Sequence, residues 1–502
     1  GDAQMFSIVP KYIWEKVSPV DAQYTYDPVA KGTAIGSGPF KFVERTPQYI
    51  KLAANEKYHW GKPAIDELYF VFYFSEETMI SALKAGEIDL IAYGMSPDAY
   101  LALKNSNPPN IDMAAVKQAT GIWTDIVFNM ADGGNHETGD SRLAHDRNLR
   151  KALNYATDRE FIVENVYKGL ADVGESVIMP ATPFWHWTPT PEERYDFNLE
   201  KARQLLAQPP TQAEIDQAKT GYHSPYPYCP PYFPEIEKGV IANKIRDINK
   251  DGVIDVKDHV PRPYTDTDGD GIREDVNGRE LRFEVVIRRE FPVDLEVFQY
   301  VKEWWRQIGV VVSERIVDEV EMEDLSALPF NNPRYDILIW YWSSDIDPNY
   351  QLAVDSSFQM GWWNDGWYHN KTYDDYFLLQ ASELNRTKRQ EYVHMCQKII
   401  YNDGARAIYA YPYGLYAWRT DKWTGWGNLA EHLGRMPNHF WGRPPLYMEL
   451  EPLETPPPPT GGGVDVGLIA VVATIVIIAV VGTSVFLYRR RKIRAEEFEE
   501  RA

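Results

Sequence analysis

The sequence predicts an α/β protein with one membrane-spanning helix near its C-terminal end. The chain has 502 residues, of which 44% are hydrophobic and 25% are charged, so it can bury several large cores. Short apolar segments typical of strands alternate with segments typical of helices over much of the chain, as in α/β folds. Residues 466–488 form a run without charged side chains that is long enough to cross a bilayer.

The elements that predict the α/β class occupy two stretches of the chain. In the first stretch, residues 67–74 (ELYFVFYF) predict a buried strand, and residues 75–86 predict a helix with Ser75 as its N-cap and Gly86 as its C-cap. In the second stretch, strands are expected at residues 282–287, 310–316 and 336–340, and a helix is expected at residues 295–308.

The C-terminal end predicts a stalk, an anchor and a tail. Residues 451–465 are rich in proline and glycine, which suits a stalk with a joint near the membrane. As a helix, residues 466–488 would be about 34 Å long, enough for a hydrocarbon core of about 30 Å. The tail, residues 489–502, begins with a basic cluster, so the positive-inside rule places it in the cytoplasm and the ectodomain outside. This arrangement favours capturing or sensing something outside the cell.

Charge and cysteine content exclude some classes of protein. The formal net charge is −21, and an acidic surface repels phosphate backbones, so we expect no nucleic-acid partner. Aromatic residues make up 14% of the chain and offer large, rigid recognition surfaces. Cys229 and Cys396 are the two cysteines, which excludes a disulfide framework but leaves one bridge possible.

Several short segments, taken together in their order and spacing, resemble the family 5 extracellular solute-binding proteins of ABC transporters, the oligopeptide, dipeptide and nickel type. Each segment alone is weakly specific, and the resemblance covers about residues 5–450. The segments are residues 8–14 (IVPKYIW), 36–40 (GSGPF), 55–63 (NEKYHWGKP), 83–89 (LKAGEID), Asn129 and 149–159 (LRKALNYATDR).

The resemblance implies a two-lobe periplasmic-binding-protein-like clamp of type II, peptide-binding class, that closes on its ligand by a hinge motion. Residues 1–140, completed by residues 421–450, would form the first lobe, and residues 141–420 the second. The chain would cross between the lobes near residues 144–149 and 416–423.

Two departures from the family pattern are expected to matter. The family has a further N-terminal stretch, so the sequence resembles an N-terminally incomplete member, with much of one cleft wall expected to be missing. An acidic insertion at about residues 211–276 is longer than usual.

The segment at residues 340–348 (WYWSSDIDP) is the candidate ligand cradle. In peptide-binding relatives an acidic residue at this place binds the α-amino group of the ligand, which implies Asp345 first and Asp347 second. A buried ammonium needs an opposite charge to offset its desolvation, and Trp342 could stack on the ligand or make a cation–π contact. The alternative is that one of the acids caps a following helix that has Pro348 in its first turn.

Two aromatic segments follow, at residues 361–368 and 409–418. We predict Trp362, Trp363 and Tyr413 as pocket-lining residues. For most of the aromatic side chains in these segments, packing in the core or at the hinge is the better expectation.

Two acidic loops have the ligand spacing of calcium sites, with oxygen-bearing residues at alternate positions around a glycine turn. The first resembles the loops of dockerin and EF-hand modules and would use Asp247, Asn249, Asp251, Val253, Asp255 and Asp258. The second would use Asp266, Asp268, Asp270, Ile272 and Glu274. Bound Ca²⁺ would be structural in either loop, and the alternative is a solvated acidic turn.

The leading functional hypothesis is therefore a receptor, not an enzyme, that captures a peptide-like ligand and delivers it to an ABC permease. The sequence has none of the nucleophile, zinc-protease or phosphate-loop motifs that would support an anchored hydrolase. One alternative is the same fold binding an oligosaccharide or another small solute. A second alternative is a calcium-dependent structural or adhesion protein of the cell surface.

Overall fold

The structure is a computed structural model that describes eleven segments of the chain. Several predicted features lie outside these segments: Trp362, the first acidic loop at residues 247–258, Cys229, and nearly all of the stalk, anchor and tail. The described residues are 9–18, 21–22, 25–92, 94–117, 121–131, 134–135, 137–215, 260–326, 333–360, 363–426 and 444–453.

The described strands group into four sheets. They are β1 (Phe40–Arg45), β2 (Tyr49–Ala54), β3 (Glu67–Val71), β4 (Leu90–Ile91), β5 (Ile111–Val116), β6 (Ile122–Phe128), β7 (Ala171–Val173), β8 (Arg282–Arg288), β9 (Val311–Val317), β10 (Ile337–Ser343), β11 (Arg406–Pro412), β12 (Gly414–Arg419), β13 (Trp423–Thr424) and β14 (Glu451–Pro452).

The described helices lie mainly between these strands. They are α1 (Lys11–Trp14), α2 (Glu76–Ala85), α3 (Pro97–Ser106), α4 (Arg142–His145), α5 (Arg147–Tyr155), α6 (Arg159–Phe161), α7 (Leu199–Ala207), α8 (Pro292–Arg306), α9 (Glu319–Ser326), α10 (Asn349–Ala353), α11 (Lys371–Ser382), α12 (Arg386–Asn402) and α13 (Pro444–Glu449), with a π-helix at Ile162–Val166 and a 3₁₀ turn at Ser357–Gln359.

The largest sheet has six strands in the order β7-β11-β6-β10-β8-β9. β8 runs parallel to β9 and β10, whereas β6 is antiparallel to both β10 and β11. Every residue of β6 is buried, because both faces of the sheet are covered. Ile126 and Phe128 pack in the cluster that contains α5 and α8, and Trp123 on the opposite face packs in the cluster that contains α12. We call the described part of residues 121–412 the large lobe.

Two three-stranded sheets, in the orders β1-β2-β3 and β4-β12-β5, form the second unit of the fold. The strands of the first of these sheets are largely exposed or half-buried. Leu83 on α2 is fully buried in the cluster beneath the second sheet. We call the described parts of residues 25–117, 414–426 and 444–453 the small lobe.

The chain passes between the lobes after β5 and again at Tyr413. We expected the first crossing near residues 144–149, but β6 at Ile122–Phe128 already lies in the six-stranded sheet. The second crossing is expected at residues 416–423, yet β12 at Gly414–Arg419 already pairs with β5. Both differences arise because an apolar run of six or seven residues does not reveal which sheet it joins.

Several predicted elements occur in the structure with small differences at their ends. Ser75 accepts a hydrogen bond from the Thr78 N–H (3.4 Å) and begins α2, and Gly86 ends it with φ +77°, as the two caps predict. The predicted helix at residues 295–308 is α8, which begins three residues earlier because Pro292 is favourable in a first helical turn.

Within the described residues, no helix is both long enough and apolar enough to cross a membrane. The predicted anchor at residues 466–488 lies outside those residues.

Candidate functional site

A cleft of about 1920 Å³ is lined by residues of both lobes. The small lobe contributes the end of β3, the first turn of α2, β4 and the start of β12. The large lobe contributes the start of β6, residues 288–294 and Tyr341. A large concave space shared by two lobes is the usual position of a small-molecule site, so we treat this cleft as the candidate site.

Arg288, the last residue of β8, is the most enclosed charged group of the cleft, with only 1% of its surface exposed. Asp294 on α8 accepts a hydrogen bond from Arg288 Nη2 at 2.6 Å. The guanidinium carbon lies 3.9 Å from the ring centre of Phe291, 4.4 Å from that of Tyr341 and 4.9 Å from that of Trp340. The three rings fix the plane of the guanidinium by cation–π contacts.

Two donors of this guanidinium, Nε and Nη1, have no hydrogen-bond acceptor among the described residues. The Glu319 carboxylate lies 4.0 Å from Nη1, and it also accepts a hydrogen bond from the Tyr341 hydroxyl at 3.2 Å. Leaving a buried N–H donor without an acceptor costs free energy. The Nε and Nη1 edge of Arg288 could therefore donate hydrogen bonds to a ligand. We did not predict Arg288 from the sequence, although charged residues directly after an apolar strand are a usable signal.

Asp345 lies in the turn that follows β10 and is 9% exposed. Its Oδ1 accepts a hydrogen bond from the Ile346 N–H (2.6 Å), and the Gln351 side chain donates to its main-chain carbonyl (2.8 Å). The turn is therefore fixed from both sides. Asp345 is not among the residues that line the cleft described above, and its role in binding a ligand stays a prediction.

Asp347, the second candidate, is bound to Arg389 on α12 by two hydrogen bonds of 2.6 and 2.7 Å. Its Oδ1 also accepts from the N–H of Asn349 at the start of α10 (2.9 Å). Burial alone would raise the pKa of Asp347, but the hydrogen bonds from Arg389 and Asn349 outweigh it and lower the pKa. The bond to Asn349 resembles helix capping, although the N-cap position of α10 is Pro348 rather than Asp347.

Trp342 and Trp363 pack around one tyrosine. The ring of Tyr350 makes edge contacts with both, at centroid distances of 6.3 Å to Trp342 and 5.2 Å to Trp363. Trp342 donates a hydrogen bond from Nε1 to Asp365 (2.8 Å). Neither tryptophan lines the cleft, and their predicted contact with a ligand is untested.

Beneath Trp342 lies a buried charge cluster that we did not predict. Arg406 pairs with Asp125 (2.8 Å), with Asp355 (2.6 Å) and with Asp365, and all four side chains are almost completely buried. Burial raises the pKa of Asp125 to about 7 and that of Asp355 to about 6, because one guanidinium cannot balance three carboxylates. The cluster joins β6, β11 and the segment after β10 within the large lobe.

Tyr413 is the predicted pocket residue that does line the cleft, and it lies at the second crossing between the lobes. Its hydroxyl donates to Asp172 (3.0 Å), and its N–H donates to the Leu170 carbonyl (2.9 Å). Lys117, at the end of the other crossing strand, also pairs with Asp172 (2.8 Å). The Asp172 carboxylate therefore contacts residues at both places where the chain passes between the lobes.

The second acidic loop brings together ligand atoms of Asp266, Asp268, Asp270 and Glu274 within 4.8 Å of one another. Gly269 and Gly271 have φ of +84° and +86°, backbone values that favour glycine in such a turn. The fifth predicted ligand, Ile272, lies in the same loop and donates its N–H to Asp270 (2.8 Å). Calcium binding at this loop stays a prediction.

Comparison with known proteins agrees with the resemblance seen in the sequence. Residues 3–223 match the family described as "Bacterial extracellular solute-binding proteins, family 5 Middle". The chain is 25% identical to the oligopeptide-binding protein AppA of Bacillus subtilis over 414 residues, which is 81% of this chain and 61% of AppA. It is 30% identical to heme-binding protein A of Haemophilus influenzae over 176 residues, 35% of this chain and 29% of that protein. The chain thus spans less than two thirds of these relatives.

The fold is shared with the structure of AppA from Bacillus subtilis in complex with a nonapeptide. The TM-score is 0.64 at 22% identity, with 89% of this chain and 72% of AppA covered. This likeness shows the two-lobe α/β periplasmic-binding-protein-like fold.

Proposed function

We propose that this chain, a relative of the family 5 solute-binding proteins, is the receptor of an ABC importer that captures a peptide-like ligand between its two lobes. The ligand would stabilise the closed arrangement of the lobes by binding it more tightly than the open one. The permease subunits in the membrane would then receive the ligand from the closed receptor.

The observation that carries this proposal is the cleft of about 1920 Å³ between lobes whose fold is shared with a peptide-bound protein. The crossings support a hinge, because the chain enters the large lobe before β6 and leaves it at Tyr413. Few chain crossings allow rigid-body closure without unfolding either lobe.

Asp345 is the proposed partner of the ligand's α-amino group. Asp347 is already paired with Arg389, so the two acids of this turn would have different roles: Asp345 would bind the ligand, and Asp347 would hold the turn on α12. The contact from Gln351 to the Asp345 carbonyl supports the same division.

Thermal unfolding in the presence of peptides tests the proposal. A peptide at about 100 times its dissociation constant should stabilise the folded chain by about 2.7 kcal/mol and raise its Tm. Peptides of two to nine residues are compared with oligosaccharides of similar mass, and Asp345→Asn is compared with the matched substitution Asp403→Asn. A Tm that no peptide raises would contradict the proposal, and a loss of affinity in Asp403→Asn equal to that in Asp345→Asn would remove the role of Asp345.

A different small solute is the second candidate, because one relative is named a heme-binding protein. Peptides would then leave the Tm unchanged while another ligand raises it.

We further propose, from the sequence pattern alone, that residues 466–488 anchor the chain with the lobes outside the cell and residues 489–502 in the cytoplasm.

A further inference from the structure

The charged side chains that line the cleft are strongly unbalanced. Among the described residues, nine carboxylates and three guanidinium groups line it, and no lysine does so. A cavity wall of one sign concentrates its field in the space between the lobes, where water is limited. The imbalance is larger on the small-lobe side, which contributes Asp27, Glu67, Glu76, Glu77, Glu87 and Asp89 against a single guanidinium, that of Arg45.

Some of these acids are already neutralised by cations outside the lining. Glu67 pairs with Lys51 (2.8 Å), and Asp89 pairs with Lys422 (3.1 Å). For Glu87, no cation of the described residues lies within ion-pair distance. The cleft therefore retains negative charge that the described part of the protein does not balance.

The large-lobe wall has a smaller excess, with three carboxylates against the guanidinium groups of Arg288 and Arg289, and it adds a hydrogen-bond donor. Arg288 is balanced by Asp294 at 2.6 Å and by Glu319 at 4.0 Å, and Glu290 has no cationic partner among the described residues. Arg288 still presents Nε and Nη1 without acceptors. An incoming carboxylate would meet the two acids beside Arg288, whereas a neutral carbonyl oxygen would accept from its donors without that repulsion.

Closure of the lobes would bring the two acidic walls nearer to each other. Like charges then repel more strongly, and a cationic group placed between them removes this cost. Because ligand affinity for the closed arrangement decides capture, the charge of the ligand contributes directly to selectivity.

We propose that the cleft selects amide-containing ligands with net positive charge, such as lysine- or arginine-rich peptides. Arg288 donates to a carbonyl oxygen of the ligand, and Glu87 and Glu290 face its cationic groups from opposite lobes. This inference rests on the proposed peptide-binding function and names the class of peptide.

Calorimetric titration of the full chain in mild detergent tests it with three matched pentapeptides: alanine at positions 1, 3 and 5, with lysine, glutamine or glutamate at positions 2 and 4. We expect the lysine peptide to bind about tenfold more tightly than the glutamine peptide, since two weak ion pairs add. The glutamate peptide should bind most weakly. The preference for lysine should shrink as salt is raised, because salt screens these charges.

Two pairs of substitutions separate the field of the cleft from the charge of the whole protein. Glu87→Gln with Glu290→Gln should reduce the preference for lysine over glutamine about tenfold, which nearly abolishes it. The control, Glu160→Gln with Glu192→Gln, removes the same charge at exposed positions outside the cleft and should leave the preference unchanged.

Arg288→Lys tests the donor role of Arg288. It keeps the positive charge but loses the planar donor edge, so it should lower the affinity for the lysine and glutamine peptides by the same factor.

The outcomes distinguish the inference from the function on which it rests. Equal affinity for the three peptides, or an equal effect of the cleft and control substitutions, would overturn the inference and leave peptide capture intact. Failure of all three peptides to bind would overturn the proposed function and the inference with it.

Discussion

The β1-β2-β3 sheet of the small lobe and the central strand β6 of the large lobe are buried to very different degrees. In the large lobe, every residue of β6 is buried and a four-residue charge cluster lies in the interior. In the small lobe, β3 has no buried residue, and Phe74 just after it is 99% exposed. We infer that the interior around β6 is the more rigid of the two regions, whereas the β1-β2-β3 sheet has less buried contact to resist local opening.

Replacing Arg406 should lower the stability of the large lobe by the largest amount. Arg406→Leu leaves three buried carboxylates without their counter-charge, and we expect it to lower the free energy of unfolding by about 3–5 kcal/mol. Urea denaturation followed by circular dichroism measures the loss. Arg282→Leu is the matched control, because its ion pair with Glu280 is exposed and should contribute less than about 1 kcal/mol. Equal losses in the two variants would contradict the assignment of the cluster as a central contact.

A leucine truncated in each lobe tests whether the lobes unfold independently. Leu83 in the small lobe and Leu338 in the large lobe are both fully buried. Either change to alanine should cost about 3 kcal/mol. Hydrogen exchange should show Leu83→Ala exposing amides of α2 and β4 only, and Leu338→Ala exposing those of β6, β8 and β10. Exposure of both lobes by either variant would show that they unfold as one unit.

Calcium should act on the large lobe alone, since the loop with Asp266 and Glu274 lies just before β8. If the loop binds Ca²⁺, a concentration about 100 times the dissociation constant adds about 2.7 kcal/mol of stability. Calorimetry with and without a chelator measures the shift, and Asp268→Asn combined with Asp270→Asn should abolish it. An unchanged shift in this double variant would assign the effect to another site.

Raising the pH should weaken the large lobe modestly. Burial raises the folded-state pKa of Asp125 to about 7 and that of Asp355 to about 6, above their usual range. A group of this kind stabilises the fold at low pH, and its contribution is lost as the pH rises through the folded-state pKa. Between pH 6 and pH 8 we expect a loss of about 1–2 kcal/mol in urea midpoint measurements. Asp125→Asn should remove most of this slope, and a stability that rises over the same interval would contradict the expectation.

Local structure could be predicted from the sequence where a few residues decide it. The caps of α2 are determined by Ser75 and Gly86, and the turn of the second acidic loop is determined by its glycines. The membership of β6 in the large lobe could not be predicted, because its neighbours β10 and β11 lie more than 200 residues later. Long-range pairing leaves no local pattern.

The candidate site shows the same difference between features that depend on neighbouring residues and features that depend on distant ones. The residues at the turn after β10 were predicted because aromatic and acidic residues follow one another there, and their role in binding stays a prediction. Arg288 and Arg406 were missed because a single arginine at a strand end has many possible roles, and only the fold brings Asp294, Asp125 and Asp355 to them. The cation–π contacts of Arg288 depend likewise on Trp340 and Tyr341, which come from another strand.

The position of β6 has a consequence for biosynthesis. The Thr124 hydroxyl donates to the carbonyl of Ala410, a partner 286 residues later in the chain. Ribosomes add about 5–20 residues per second, so this apolar strand waits on the order of 14 to 57 s for the last of its two neighbours. Before β10 is synthesised, β6 can join neither side of its sheet, and it lacks its second neighbour until β11 follows. An apolar strand that waits unpaired in this way is exposed to aggregation during synthesis.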